Sequence, residues 1–310
     1  MFSSKLDLGN RSFTWGTRTY VMGILNITPD SFSGDGLLVN VDPSASQGTQ
    51  YREEAVIAFA MDQAQRYLTA GVDMIDVGGE STRPGSEGIT SKEEINRVLP
   101  VIRALVDKFD VPISIDTYKA DVAQAALEGG AKMVNDVWGL HADPDLADVV
   151  TKFGVPIILM HNRSSWTNAE IKARLGGRYI GVTYDNLMED IQQELLASVN
   201  LARQAGMSEN NIILDPGIGF GKTVEQNLEL LDRLSELRAM GYPILVGPSR
   251  KSFIGYTLDQ PPDQRLEGDA AAVAVAITRG ADIVRVHDVD FMVKVARMTD
   301  AIVRRTGSID

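Results

Sequence analysis

Four stretches of the chain share one pattern: a helical segment, a glycine, a short apolar run and then a polar residue. They are AGVDMIDVGG at 70–79, GGAKMVNDV at 129–137, FGVPIILMH at 153–161 and RGADIVRVHDV at 279–289. A glycine just past the last helical turn supplies the left-handed residue that stops a helix. The run after it is strand-length and rich in Val and Ile. Unbroken apolar runs suit strands buried on both faces, which parallel pairing with alternating helices produces.

Extended along the chain, the pattern predicts eight strands. They lie near Tyr20–Leu25, Met74–Val77, Pro112–Ile115, Met133–Asn135, Pro156–Met160, Asn211–Leu214, Pro243–Val246 and Ile283–Val286. Helices are predicted over 52–70, 91–108, 185–205, 223–240, 265–279 and 288–305, with a short one from Lys119 that Gly129 and Gly130 end. Ser91 and Glu94 have capping-box spacing, which places an N-cap at Ser91. Eight strand–helix units in about 300 residues predict an α/β protein, a (β/α)8 TIM barrel in a single domain over 1–310. A doubly wound sheet is the alternative, but no fingerprint glycine turn follows the first strand. Residues 27–51 and 162–184 are long polar connections, of a length that marks functional lids or disorder.

Composition narrows the function. The chain has 310 residues, no cysteine and a net charge of −12. Without cysteine there is no disulfide framework, thiolate zinc site, iron–sulfur cluster or cysteine nucleophile. An acidic balance argues against nucleic acid as a partner. No apolar run approaches the roughly 20 residues needed to span a bilayer, and the N-terminus has no signal-peptide core, so a cytoplasmic protein with no membrane partner is expected. The three histidines, His141, His161 and His287, are too scattered for a His-rich metal site. His141 reads as incidental and His161 as a structural histidine ending a buried strand.

In a barrel of this kind the C-terminal strand ends form the site. Read in order they give Asn26, Asp76, Asp116, Asn135, His161, Asp215, then Ser249, Arg250 and Lys251, then Arg285 and His287. Asp76 and Asp136 also have a plain reading as caps of the helices that follow them. Asp116, Asn135 and Asp215 lie on the third, fourth and sixth strands, and the cations lie on the seventh and eighth. That division predicts a ligand with two ends. One is a heterocycle with adjacent N–H donors, which carboxylates accept, and the other is a phosphate or diphosphate. DPGIGFGKT at 215–223 is like a P-loop, but Pro216 stands where the first glycine must be. It reads instead as a tight turn that brings backbone close to a ligand, with Phe220 placed to pack on a ring. Lys222 reads equally as a solvated residue or a ligand contact. Ser249 lacks the context of a hydrolase nucleophile.

Several strings, in order, carry a family resemblance. They are MGILNITPDSFS at 22–33, IDVGGESTRPG at 75–85, ISIDTYK at 113–119, VNDV at 134–137, LMH at 159–161, ILDPGIGFGK at 213–222, GPSRKSFIG at 247–255 and IVRVHDV at 283–289. Together they resemble the dihydropteroate synthases. The resemblance implies condensation of 6-hydroxymethyl-7,8-dihydropterin diphosphate with p-aminobenzoate, with Mg2+ required. It implies that Asp76, Asp116, Asn135, Asp215, Phe220 and Lys251 hold the pterin, and that Asn26, Arg285 and His287 hold the diphosphate, Asn26 also meeting the metal. Phe32, Thr82, Arg83, Pro84, Ser249 and Arg250 correspond to the surroundings of p-aminobenzoate. Asp116, Lys251, Arg285 and His287 form the implied catalytic set. It further implies mobile loops at 27–51 and 78–90 and a homodimer formed through outer helices.

Two strings depart from the family pattern. SFSGDG at 31–36 has Gly34 where an aspartate is usual, which leaves Asp30 and Asp35 as carboxylates that could reach the metal. HNRSSW at 161–166 replaces a more frequent run, so Asn162 and Arg163 are expected to make contacts of their own. The alternatives are a non-catalytic pterin-binding paralogue and a methyltetrahydrofolate-binding methyltransferase domain. The latter has no use for SFS, STRPG or SRK.

Overall fold

The computed structural model describes residues 5–28, 49–81, 88–172, 174–180 and 182–304. An antiparallel hairpin comes first, β1 (Lys5–Leu8) with β2 (Arg11–Thr14). The alternation that follows runs β3 (Tyr20–Asn26), α1 (Thr49–Ala70), β4 (Met74–Gly78), α2 (Ser91–Lys108), β5 (Ile113–Asp116), α3 (Ala120–Glu128), β6 (Met133–Asp136), α4 (Leu146–Phe153) and β7 (Ile157–Met160). A second hairpin, β8 (Ala169–Lys172) with β9 (Gly176–Tyr179), interrupts it before α5 (Leu187–Gln204). Then come β10 (Ile212–Asp215), α6 (Val224–Asp232), α7 (Ser235–Arg238), β11 (Leu245–Val246), α8 (Ser252–Leu258), α9 (Leu266–Thr278), β12 (Ile283–Val286) and α10 (Val289–Val303).

The eight longer-range strands pair in the order β10-β7-β6-β5-β4-β3-β12-β11, all in parallel. A parallel bridge from Leu214 to Ile244 joins the two ends and closes the barrel. The architecture is the predicted (β/α)8 barrel in one domain.

Alternation along the strands sorts side chains between two cores. Outward residues such as Val21, Ile75, Val134, Leu214 and Val284 join the helices in one large cluster. Inward residues Met22, Met74, Met133, Ile158, Ile213, Leu245 and Ile283 form a separate apolar floor. Leu6, Leu8 and Phe13 of the N-terminal hairpin pack into that floor and stop the lower mouth of the barrel. Phe13 meets Tyr20 edge-on, with ring centroids 4.8 Å apart. Phe13→Ala should therefore destabilise the fold by about 3–5 kcal/mol through the cavity it leaves. Urea unfolding measures this, and a loss below 1 kcal/mol would mean that the hairpin is only an appendage.

The structure corrects several predicted elements. Thr90, not Ser91, caps α2, accepting the Glu93 N–H at 3.2 Å. The predicted helix over 223–240 divides into α6 and α7. At the junction Glu236 N–H reaches Arg233 O and Leu237 N–H reaches Leu234 O, both at 3.0 Å, the tighter i to i+3 winding. The connection 162–184 is no structureless lid, because β8 and β9 lie within it. Tyr256 of α8 donates to Gly176 O at 3.1 Å and holds that hairpin down.

Candidate active site

Above the floor the same inward positions turn polar. Asp76, Asn135, Asp215 and Arg285 each stand two residues beyond a floor residue, so each faces the barrel interior. Asp116 ends β5, and its backbone pairs with Gly78 on one side and Asn135 on the other. Asp76 sits mid-strand with 0% exposure, so the helix-cap reading fails for it. Asp136 does cap, but it caps a turn, accepting the Trp138 N–H at 2.8 Å and the Leu140 N–H at 2.6 Å.

Arg285 ties the ring together. Its Nε donates to Asp76 Oδ2 and its Nη2 to Asp116 Oδ2, both at 2.6 Å. Asn135 Nδ2 donates to the same Asp76 oxygen at 2.9 Å. Asp76 Oδ1 is buried and accepts no hydrogen bond. The expected division of carboxylates from cations is therefore incorrect for Arg285. The barrel is narrow enough that a long guanidinium on β12 crosses to the carboxylates of β4 and β5. Burial pushes Asp116 up to about 7, with Arg285 and Lys251 opposing and Asp76 and Glu94 adding to the rise. Burial lifts Asp215 to about 6, although its Oδ1 accepts the Gly217 N–H at 2.7 Å.

The glycine turn after β10 is built against protein. A Cβ at Gly217 would stand 1.9 Å from the His161 carbonyl oxygen, and one at Gly221 would stand 2.2 Å from the Arg163 carbonyl carbon. Gly217 and Gly221 thus serve close approach to the backbone after β7, a reason the sequence did not supply. Lys222 is neither solvated nor aimed at a ligand. It is 2% exposed, and its ammonium donates to Gly217 O and Phe220 O at 3.0 Å and meets His161 Nδ1 at 2.9 Å. Burial depresses it to about 7. His161 faces away from the interior, and its Nε2 stands 3.0 Å from Glu194 Oε2, off the line of a hydrogen bond. The structural reading of His161 holds. Phe220 carries the Lys251 ammonium 3.8 Å above its ring centroid, so these two predicted residues meet each other.

At the end of β11, Ser249 Oγ donates to Asp269 Oδ2 at 3.0 Å. His287 approaches the same hydroxyl with its backbone N–H at 3.3 Å and its Nδ1 at 3.2 Å. Arg250 points its guanidinium at Asp288, with bonds of 3.0 and 2.8 Å. Asn26 ends β3, and a Cβ at Gly78 would stand 3.6 Å from both Asn26 Oδ1 and Asp116 Oδ2. Asn162 turns back to Val137 O at 2.9 Å, and Arg163 binds Glu194 and Asp190 on α5. Phe32, Thr82, Arg83 and Pro84 lie outside the described residues, as do Asp30, Gly34 and Asp35.

Two features escape the sequence reading. Lys119 joins Glu80, Glu94 Oε2 at 2.7 Å and Ile89 O at 2.7 Å, with Tyr118 donating to Glu80 at 3.1 Å. This staple holds the residues on both sides of 82–87. The other is Asp269, fully buried on α9. Its signal was a carboxylate spaced with Leu266, Ala272, Val273 and Ala276 along the apolar stripe of the helix.

Comparison with known proteins decides the family. The model of the pterin binding enzymes matches residues 22–287. A dihydropteroate synthase from Clostridium beijerinckii is 47% identical over 301 residues, covering 97% of this chain and 100% of that one. The chain belongs to the dihydropteroate synthase family. The crystal structure of the Clostridium difficile dihydropteroate synthase in the presence of pteroic acid is 46% identical and superposes with a TM-score of 0.81, covering 94% of this chain and 100% of that one. That of Xanthomonas albilineans with 4-aminobenzoic acid is 36% identical with a TM-score of 0.81, covering 98% and 100%. As a dihydropteroate synthase the chain is a transferase of folate biosynthesis. Among the described residues no helix is long and apolar enough to cross a membrane.

Proposed function

We propose that this synthase joins 6-hydroxymethyl-7,8-dihydropterin diphosphate to p-aminobenzoate, releasing 7,8-dihydropteroate and diphosphate. The observation that carries the reading is Arg285 bridging Asp76 and Asp116 beside Asn135, directly above an apolar floor. The pterin lies in this shell, with the unpaired Asp76 Oδ1 and the Asp215 carboxylate accepting its N–H groups, and Phe220 and Lys251 beside it. Ser249 and Arg250, with Phe32, Thr82, Arg83 and Pro84, surround the p-aminobenzoate. The loops 27–51 and 78–90 close over both and keep water out.

The bond from the pterin methylene carbon to the diphosphate oxygen breaks as charge spreads over the ring. Asp116 and Asp215 stabilise that positive charge from fixed positions. Arg285 commits Nε and Nη2 to carboxylates, which leaves Nη1 for the departing diphosphate, with His287 beside it. The neutral aryl amine attacks the carbon with its lone pair and then loses a proton. No strong base is required.

Among the described residues no three His, Cys, Asp or Glu side chains gather into a metal cage. The gap over Gly78, faced by Asn26 Oδ1 and Asp116 Oδ2, fits a hard cation that takes few protein oxygens and the rest from phosphate and water. Asn26 would hold Mg2+ there, and the ion, when bound, would neutralise charge growing on the diphosphate. A second copy of the chain would cover Phe291, Met298 and Ile302, which are 42%, 64% and 53% exposed along one stripe of α10.

The test is a turnover assay with the pterin diphosphate, Mg2+ and p-aminobenzoate, following diphosphate and dihydropteroate, with parallel runs lacking the amine. Amine-dependent dihydropteroate is expected. Pterin binding by calorimetry with no product would establish a non-catalytic paralogue instead.

A further inference from the structure

The turn after β11 is clamped from outside the site by α9. Arg250 has φ 57°, a left-handed conformation that residues with a side chain adopt rarely. Its N–H is held by both oxygens of Asp269 at 2.9 Å, and its carbonyl accepts Arg265 Nη1 at 2.9 Å. Arg265 also reaches Gln260 O at 3.2 Å and Leu175 O at 2.8 Å, so it is itself fixed. Both polar groups of one peptide residue are thus gripped from the start of a single helix. That residue lies between Ser249 and Lys251.

The same carboxylate sets a proton. The Ser249 hydroxyl has one hydrogen, and it goes to Asp269 at 3.0 Å. An ionised carboxylate only accepts, so Ser249 Oγ can offer His287 nothing but lone pairs. His287 Nδ1, 3.2 Å away, must then be the donor. Nε2 becomes the nitrogen whose protonation changes.

We propose that Asp269 is a positioning residue, holding His287 as its Nδ1–H tautomer through Ser249 and holding the left-handed turn that carries Lys251 through the Arg250 N–H. Its value to catalysis rests on the reading above, in which His287 and Lys251 meet the substrates. Its effect on the imidazole does not. Asp269→Asn keeps the shape, and where its oxygen takes the place of Oδ1 on the Arg250 N–H, its amide hydrogens replace Oδ2 and point at Ser249 Oγ. The serine hydrogen turns to His287 Nδ1, and the proton moves to Nε2.

The test uses the whole chain labelled with 15N-histidine, free of ligand, at pH 8. Only three histidines contribute signals, and His287→Gln identifies the one of interest. Long-range 1H–15N correlations distinguish the tautomers. Nδ1–H is expected in the wild type, Nε2–H in Asp269→Asn and a mixture in Ser249→Ala. For Asp269→Asn, kcat should fall roughly 10- to 100-fold with little change in either KM, the size seen when outer partners of site histidines are removed. An Nε2–H wild type overturns the proposal, whether or not Asp269→Asn folds. So does a wild-type tautomer that persists in both variants, even if kcat falls. A tautomer switch in a protein that makes no dihydropteroate would sustain the proposal and sink the synthase reading.

Discussion

Replacing Arg285 with methionine is expected to abolish measurable turnover and to cost about 3–5 kcal/mol of stability near pH 8, as breaking a buried ion pair does. Without the guanidinium, Asp76 and Asp116 remain in the barrel interior with no cation bound to them. Asp116 already stands at about 7, chiefly because it is buried. Losing its counter-ion raises it further. A carboxylate raised in the folded state adds no penalty below its unfolded value of about 4; the penalty grows from there until pH reaches the folded value, and then levels off. The deficit of Arg285→Met should therefore be large at pH 8 and clearly smaller at pH 5. Urea midpoints at the two pH values give the answer, and equal deficits would mean that the bridge carries little electrostatic weight.

Lys222→Met should have the next largest effect, and its deficit also grows with pH, though from a base and not an acid. The wild-type ammonium is depressed by burial to about 7. A base whose folded value lies below its unfolded one, near 10.4, is stabilising at high pH and loses that contribution as pH falls toward 7. Wild-type stability should thus gain between pH 7 and 10 from this group, and the methionine variant should lack the gain. Methionine also leaves Gly217 O, Phe220 O and His161 Nδ1 without their donor, at roughly 1–3 kcal/mol for each group left unsatisfied. The variant should be least competitive near pH 9.5 and closer to wild type at pH 6. Because the same bonds hold the turn that bears Phe220, kcat/KM should fall by roughly 10²-fold if that ring shifts by about 1 Å. An unchanged kcat/KM in a folded variant would show that Phe220 is positioned from elsewhere.

The barrel strands were legible because parallel strands are buried on both faces and leave apolar runs between helix-stopping glycines. The inward polar ring was legible from residue type and strand position. What Arg285 binds was not, since its partners lie on strands far apart in sequence and meet only once the barrel closes. KLDL and RSFT are too short to announce a hairpin, and Leu6, Leu8 and Phe13 gain meaning only against the barrel floor. Lys222 looked exposed because GFGKT reads as a loop, and no local pattern tells that the turn folds back onto His161. Thr90 and Ser91 are adjacent, each with a glutamate three residues on, so the capping signal itself was degenerate by one position. Asp269 was the avoidable miss, as an acidic residue within an apolar helical stripe asks for a buried partner.

The hairpin that fills the lower mouth makes the barrel blind-ended. A molecule seated on Asp76, Asn135 and Asp215 has a single way in and out. Whatever settles over it afterwards, substrate or loop, also becomes its stopper. Order of arrival and departure is then imposed by plumbing: the deep ligand enters first, and it leaves only after the outer one has gone or has become part of it.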